Sequence, residues 1–316
     1  MARTATPRSR TPCAPRSRRC ATASRSIRGS DRLSGQATRS LERALGDFAR
    51  ARLPHAVQEP AMFVLKHLWA GLFGGVLMVA IFATNAVWND AWTVARYDVL
   101  LAIAVVVQGG FILFRLESRE EIAALVGFSI LGMGMEWYNT AAGNWTYPEH
   151  GVFAIAHVPL FVGAMYSAVG VCVIRMIRIF EMSFTPFPPR WAALGLAALI
   201  YVNFFTQHVF FDIRYALFAA LAVLFWRTKI WFTPFRGRRW YMPMLLSLFL
   251  SALGVWLAEN LGTLTGTWLY DGQETHEWVS LATLGSWALF LYVALMVALA
   301  VMPGATRRQS VIPRTA

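Results

Sequence analysis

Glu136-Trp-Tyr-Asn-Thr140-Ala-Ala-Gly143-Asn-Trp145-Thr-Tyr147 recurs in the same chain as Glu259-Asn-Leu-Gly-Thr263-Leu-Thr-Gly266-Thr-Trp268-Leu-Tyr270, 123 residues on (259 − 136). Both copies read Glu-x-x-x-Thr-x-x-Gly-x-Trp-x-Tyr without a gap, and each joins the end of an apolar segment to a short polar loop. Working outward, Trp69-Ala-Gly-Leu72 matches Trp191-Ala-Ala-Leu194, and Phe82-Ala-Thr84 matches Phe204-Phe-Thr206, both 122 residues apart (191 − 69 and 204 − 82). Arg96-Tyr97 matches Arg214-Tyr215. The pattern is that of a tandem duplication.

The composition sets the solvent. Of 316 residues, 57% are hydrophobic and 15% charged, against roughly 25% charged in soluble domains. An all-α integral membrane protein is expected. A span needs about 20 apolar residues, and eight stretches qualify: 68–88, 98–115, 122–141, 153–174, 191–211, 214–231, 242–263 and 279–301. The sixth has a short uncharged core, Tyr215 to Trp226, and spans only if Arg227 and Lys229 snorkel to the interface. Loops rich in Lys and Arg (Arg115–Arg119, Arg175–Arg190, Arg227–Arg239, Arg307–Arg314) all fall on one side of an eight-span chain, with the N-terminal tail. Loops 89–97, 142–152, 212–213 and 264–278 are acidic and fall on the other. By the positive-inside rule both termini are cytoplasmic. The expected organisation is a tail at 1–58, a four-span repeat at 59–180 and a second at 181–316. Four spans is an even number, so the halves are expected to be parallel repeats about a pseudo-twofold axis along the membrane normal.

The net charge of +12 is concentrated in the tail. Residues 1–53 carry 13 Arg against Asp31, Glu42 and Asp47, a net of +10, which leaves 16 basic and 14 acidic residues elsewhere. Residues 1–36 read as disordered, with a transit peptide or an upstream start as alternatives. Residues 37–53 put Leu41, Leu45, Phe48 and Leu53 on one face of a short interfacial helix. No nucleic-acid motif occurs there, so the expected partners are the bilayer and a lipid or small-solute ligand. Cys13, Cys20 and Cys172 show no pairing or metal spacing. No cofactor and no metal are expected.

Glu136 and Glu259 sit near the outer ends of spans three and seven. Ionisable groups at membrane depth are costly and mark function by default. Thr140 and Thr263, one helical turn on, are candidate donors to them. Gly143 and Gly266 permit a tight helix exit, and the alternating Trp145/Tyr147 and Trp268/Tyr270 fit an extended loop over the helix mouth. Asn139, His157 (opening span four), Asn203, His208 (ending span five) and Asn260 complete the candidate binding residues, although Asn139, Asn203, Gln207 and Asn260 sit in spans, where such amides more often make hydrogen bonds between helices. His150 and His276 lie in outer loops, and no His pair has metal spacing. Arg96 and Arg214 follow outer loops and read as interface anchors, or as partners of Asp98 and Asp212 or of the two glutamates. Three roles follow. The two acids exchange protons with a lipid or isoprenoid substrate, they couple protons to transport of a small solute, or each pins its own loop as a clasp.

The runs Glu136–Glu149, Val158-Pro-Leu-Phe-Val-Gly-Ala-Met-Tyr166, Tyr201-Val-Asn-Phe-Phe-Thr206, Trp256-Leu-Ala-Glu-Asn-Leu-Gly-Thr263 through Tyr270, and Leu284-Gly-Ser-Trp287 resemble the bacterial integral-membrane family known as domain of unknown function 817, over about residues 59–302. That resemblance implies a multi-pass inner-membrane protein and no assigned activity. Gly-x-Trp-x-Tyr followed by Val158-Pro159-Leu160 is also similar to membrane lycopene cyclases and carotenoid hydratases. The Pro-x-Glu-Glu element typical of the cyclases is absent, because Leu160 and Phe161 follow Val158-Pro159.

Overall fold

The computed structural model describes residues 43–44, 46–48, 51–89, 91–206, 212–235, 239–274 and 277–306. The expected tail, most of the interfacial helix, Gln207, His208, His276 and the basic C-terminal segment lie outside these. Nine α-helices are described from His55 onward: α1 (His55–Ala70), α2 (Leu72–Val87), α3 (Arg96–Leu113), α4 (Arg119–Ala141), α5 (Phe161–Ile179), α6 (Arg190–Thr206), α7 (Arg214–Phe225), α8 (Met244–Leu264) and α9 (Leu281–Val301). A helix occupies each of the eight apolar stretches. Four of them, α3, α5, α8 and α9, are long and apolar enough to cross a membrane. The pair α1–α2, bent by 68° at Gly71, would make a fifth.

Two expected boundaries are corrected. Span four does not begin at 153. Residues 154–159 form a hairpin, β2 (Ala154–Ile155) on β3 (Val158–Pro159), with Ala156 and His157 at φ 49° and 66° in its turn. Pro159 has no N–H to feed a helix, so α5 starts after it, and His157 is an exposed turn residue. Helix α7 stops at Phe225 instead of running to 231. Its continuation, β5 (Lys229–Phe232), is the central strand between β4 (Ser183–Thr185) and β6 (Trp240–Pro243). Two strand partners satisfy backbone groups that a solitary short helix end would leave open, and Phe184 and Ile230 seat the sheet on the core.

Helices α5 and α9 pack against each other and supply many of the most buried apolar residues, among them Phe161, Ile174, Leu289 and Ala294. Helix α4 begins at a capping box. Ser118 Oγ accepts from Glu121 N at 3.2 Å, and Glu121 Oε2 accepts from Ser118 N at 2.6 Å. It lies along α5 in close approach, with Gly132 against the Tyr166 ring and Gly170 against the Phe128 ring, where any Cβ would overlap the partner. Gly170→Val is therefore expected to cost about 1–3 kcal/mol, read as a lowered melting temperature of the detergent-purified protein. An unchanged melting temperature would contradict this packing.

At the end of the bundle nearest the sheet, a cluster of charges is buried. Arg175 had been counted with the basic surface loops, but it sits inside α5 with a side chain 0% exposed. Its Nε donates to Glu121 Oε1 (2.9 Å), its Nη2 to Glu117 Oε1 (3.2 Å) and its Nη1 to Trp69 O (3.3 Å). Arg178 Nη2 also reaches Glu121 Oε1 at 3.3 Å, and Gln108 Nε2 donates to Glu117 Oε2 at 2.5 Å. Burial pushes the Glu117 carboxyl above the usual range, opposed by Gln108 and Arg175. The long Arg stem reads as snorkelling in a one-dimensional view; only the fold brings two glutamates from the α3–α4 corner to it.

Candidate functional site

The repeated motif is built the same way twice. Helices α4 and α8 run to Ala141 and Leu264 and leave through Gly143 (φ 78°) and Gly266 (φ 62°). Two bonds close each exit: Gly143 N to Thr140 O and Asn144 N to Asn139 O, then Gly266 N to Thr263 O and Thr267 N to Gly262 O. This is the Schellman arrangement, and its left-handed residue is the reason for the glycine. The chain then turns back as a short strand over the helix it has left. Trp145 Nε1 and Tyr147 Oη donate to Glu136 Oε2 at 2.6 and 2.7 Å. Trp268 Nε1 and Tyr270 Oη donate to Glu259 Oε1, both at 2.8 Å. Each glutamate thus holds the Trp and Tyr nine and eleven residues downstream (145 − 136, 147 − 136).

The two copies meet. Strand β1 (Trp145–Thr146) pairs antiparallel with β7 (Leu269–Tyr270), Thr146 opposite Leu269 and Trp145 opposite Tyr270. With the offset of 123, Thr146 faces its own counterpart (146 + 123 = 269). Arg96 and Tyr97 fasten the join. Arg96 grips Glu149 (Nη2–Oε1 2.6 Å, Nε–Oε2 3.0 Å) and donates to Thr267 Oγ1 at 3.1 Å, while Tyr97 Oη donates to Thr267 O at 2.7 Å. Arg96 is 2% exposed, a buried tie and not an interface anchor. Its counterpart Arg214 pairs with Asp212 at 2.7 Å near the surface. Burial, then the charges of Glu136 and Glu259, push the Tyr147 hydroxyl well above its usual range; burial, then Glu259 and Glu136, do the same to Tyr270. Both carboxylates act on both hydroxyls.

The glutamates differ in one respect. Glu136 receives a third donor, Tyr166 Oη to Oε1 at 2.6 Å, so both its oxygens are engaged. Glu259 receives both of its donors on Oε1, and among the described residues none reaches Oε2. Both line a cavity of about 1200 Å³. Its wall follows α8 from Met244 to Glu259, fifteen residues or about 22 Å of helix. Methionines 78, 135, 165 and 176 and several aromatic rings make it mainly apolar.

Of the predicted site residues, Glu136, Asn139, Trp145, Tyr147, Glu259, Trp268 and Tyr270 line this cavity. The others do not. Thr140 and Thr263 are not the donors to the glutamates: the Thr140 hydroxyl is buried without a partner among the described residues, and Thr263 Oγ1 donates to Asn260 O at 3.2 Å. Asn260 faces a separate shallow groove beside Trp278 and holds its own loop, accepting from Val279 N at 2.8 Å. Asn139 likewise braces its own turn, accepting from Asn144 Nδ2 at 2.8 Å. Neither makes the expected bond between helices. Asn203 is buried away from the cavity with Oδ1 unpaired, His157 is on the hairpin turn, and His208 lies outside the described residues. No group of three His, Cys, Asp or Glu able to hold a metal occurs among the described residues. Tyr166 was missed. It is one aromatic residue in an apolar helix, and only the glycine-mediated approach of α5 to α4 carries it to Glu136.

A family model described as "Protein of unknown function (DUF817)" matches residues 59–295. The uncharacterized protein YoaT of Bacillus subtilis (strain 168) is 32% identical over 243 residues, which are 77% of this chain and 91% of YoaT. Solved structures of similar shape include MvINS, a mycobacterial Insig homolog from Mycobacterium vanbaalenii, and a cross-linked MvINS trimer, each with 15% identity and a TM-score of 0.43 over 60% of this chain and 96% of that one. A likeness at that level carries no argument. The cyclase-like residues Val158-Pro159 form strand β3 here and are not a helix entrance.

Proposed function

The chain belongs to the DUF817 family, and from that premise we propose that it is a multi-pass inner-membrane protein that holds a long-chain lipid or isoprenoid-type amphiphile in its cavity. The polar head lies at Glu259 and the chain runs along α8. The observation that carries this reading is the pairing of a mainly apolar cavity, whose wall follows α8 from Met244 to Glu259, with a Glu259 carboxylate oxygen that no donor among the described residues reaches. Ligand sites are mainly apolar with a few convergent polar groups. The indole and phenol donors of the motif are spent on the glutamates, while the Trp287 indole N–H in the same wall is without a partner among the described residues. The cavity thus offers an acceptor at Glu259 and a donor at Trp287, and the fitting head is one that donates and also accepts, such as a hydroxyl. Glu136, with three donors, is the clasp; Glu259 is the group available to take a proton from the head.

The eight-span reading with cytoplasmic termini, two halves at 59–180 and 181–316 and a parallel pseudo-twofold belongs to the same proposal. It is supported by the β1–β7 register and by the matched neighbours: α2 on α3 and α6 on α7, α4 on α5 and α8 on α9. A rocking transporter is disfavoured, because the β1–β7 pair and the ties from Arg96 and Tyr97 to Thr267 join the two motif copies at the outer end.

The test is competition for the purified protein among hexadecanol, hexadecylamine and hexadecanoate. The wild type is expected to prefer the two donor heads. Glu259→Gln keeps an oxygen for Trp268 and Tyr270 and turns an N–H toward the cavity, so the preference should fall by roughly ten- to hundredfold, the worth of one charge-assisted hydrogen bond of about 1.5–3 kcal/mol. Equal binding of all three by the wild type would refute the reading. Conversion of the retained alcohol by wild type and not by Glu259→Gln would add chemistry to binding.

A further inference from the structure

The cavity lies between two related pairs of helices, and the two seams differ. In the first, α6 packs on α4. Tyr201 Oη donates to Leu131 O at 3.0 Å, and Phe205 stacks edge-on against Tyr138 and Tyr201, centroids 5.2 Å apart in each case. Those rings and that bond zip the seam shut. In the duplicated chain its counterpart is α2 against α8. Leu131 corresponds to Gly254 (131 + 123) and Tyr201 to Val79 (201 − 122). Val79 has no hydroxyl to donate and points outward, 68% exposed. Gly75, Ser251 and Gly254 line the cavity and are exposed. A Cβ added at Gly75 or Gly254 would meet nothing within 4 Å. Exposed wall residues with open space beside them mark a stretch where the two helices are not packed shut.

We propose that the α2–α8 seam is a lateral portal, through which a membrane-dissolved long-chain molecule passes sideways from the bilayer into the cavity, while the α4–α6 seam stays closed. The physical reason lies in the bilayer. An apolar chain already dissolved in lipid loses nothing by moving into an equally apolar cavity, whereas a route through water would expose it at about 0.8 kcal/mol per CH₂. Small side chains let it slip between backbones without displacing bulky rotamers. The acceptor Glu259 Oε2 stands at the outer end of the same cavity, so the head stays near headgroup level as the chain swings in. The inference rests on the long-chain reading above, but its test does not need the ligand.

Cys172 lines the cavity wall on α5 and serves as a native reporter. The full-length protein in nanodiscs is treated with hexadecyl methanethiosulfonate, a thiol reagent that resides in lipid, and modification is followed on the Cys172 peptide by mass spectrometry. Wild type is expected to react. Gly254→Trp and, on the facing wall, Gly75→Trp should each abolish the reaction, while Val223→Trp, on the exposed face of α7 away from both seams, should leave it intact. Equal rates in wild type and both seam variants would overturn the portal, as would an unreactive Cys172 in wild type. If the seam variants protect Cys172 but hexadecanol does not bind, the portal stands and the ligand reading falls. If hexadecanol binds and the seam variants leave Cys172 as reactive as before, the ligand reading stands and the portal falls.

Discussion

Arg175→Met is expected to cost about 3–5 kcal/mol, the penalty for removing one partner of a buried ion pair, and so to leave little folded protein in detergent. Glu117 and Glu121 are both 0% exposed at the side chain. Without the guanidinium, Glu117 keeps only Gln108 among the described residues, and Glu121 keeps Arg178 and the Ser118 N–H. The remaining carboxylates would be under-compensated in a place that water does not reach. The loss also removes one of the bonds to Trp69 O at the end of α1, next to the bend at Gly71. Adding Glu117→Gln to Arg175→Met should return part of the stability, because the carboxylate that lost its cation and kept only the Gln108 amide among the described residues is then neutral. Melting curves of the two variants in one detergent check this. A double variant no more stable than the single would show that the cation matters through its packing on Trp69 and Phe111 and not through its charge.

The second large effect is expected at Glu136. Glu136→Leu strands three buried donors, Trp145 Nε1 and the hydroxyls of Tyr147 and Tyr166. At about 1–3 kcal/mol for each unsatisfied group, a loss of at least about 3 kcal/mol follows. Glu136→Gln should be far milder. Its amide oxygen can serve Trp145 and Tyr147, and its N–H can face Tyr166, whose hydroxyl turns round to accept. An indole N–H has no such freedom, so the amide is restricted to one orientation. Tryptophan fluorescence melts of the two variants measure the difference. If Leu and Gln behaved alike, the clasp role of Glu136 would be lost.

These two sites show how far the chain could be read alone. The motif exits were legible because they are local. A helix that must turn within three residues needs a left-handed residue, and Gly143 and Gly266 supply it at matched positions. The Trp and Tyr of the motif were legible as loop residues at the helix mouth. The choice of Thr263 as a donor failed because a helical Thr bonds most easily to a carbonyl of its own preceding turn, as Thr263 does with Asn260; the Thr140 hydroxyl reaches no partner among the described residues. Sheet β4–β5–β6 was not legible, since its strands are only three or four residues long and come from two loops far apart in the chain, β4 between α5 and α6 and β5 with β6 between α7 and α8.

The sequence by itself determined the apolar composition, the recurring twelve-residue motif, the apolar segments and the glutamates at two helix ends. All of these follow from composition and from spacing along one helix or one turn, where covalent neighbours set the geometry. Only the tertiary structure decided that the two motif copies pair at Thr146 and Leu269, that Tyr166 gives Glu136 a third donor while among the described residues none reaches Glu259 Oε2, and that Tyr201 bonds α6 to α4. Those outcomes depend on how closely helices far apart in the chain approach. That approach is set by glycines and rings meeting across the bundle, and no spacing within a single segment encodes it.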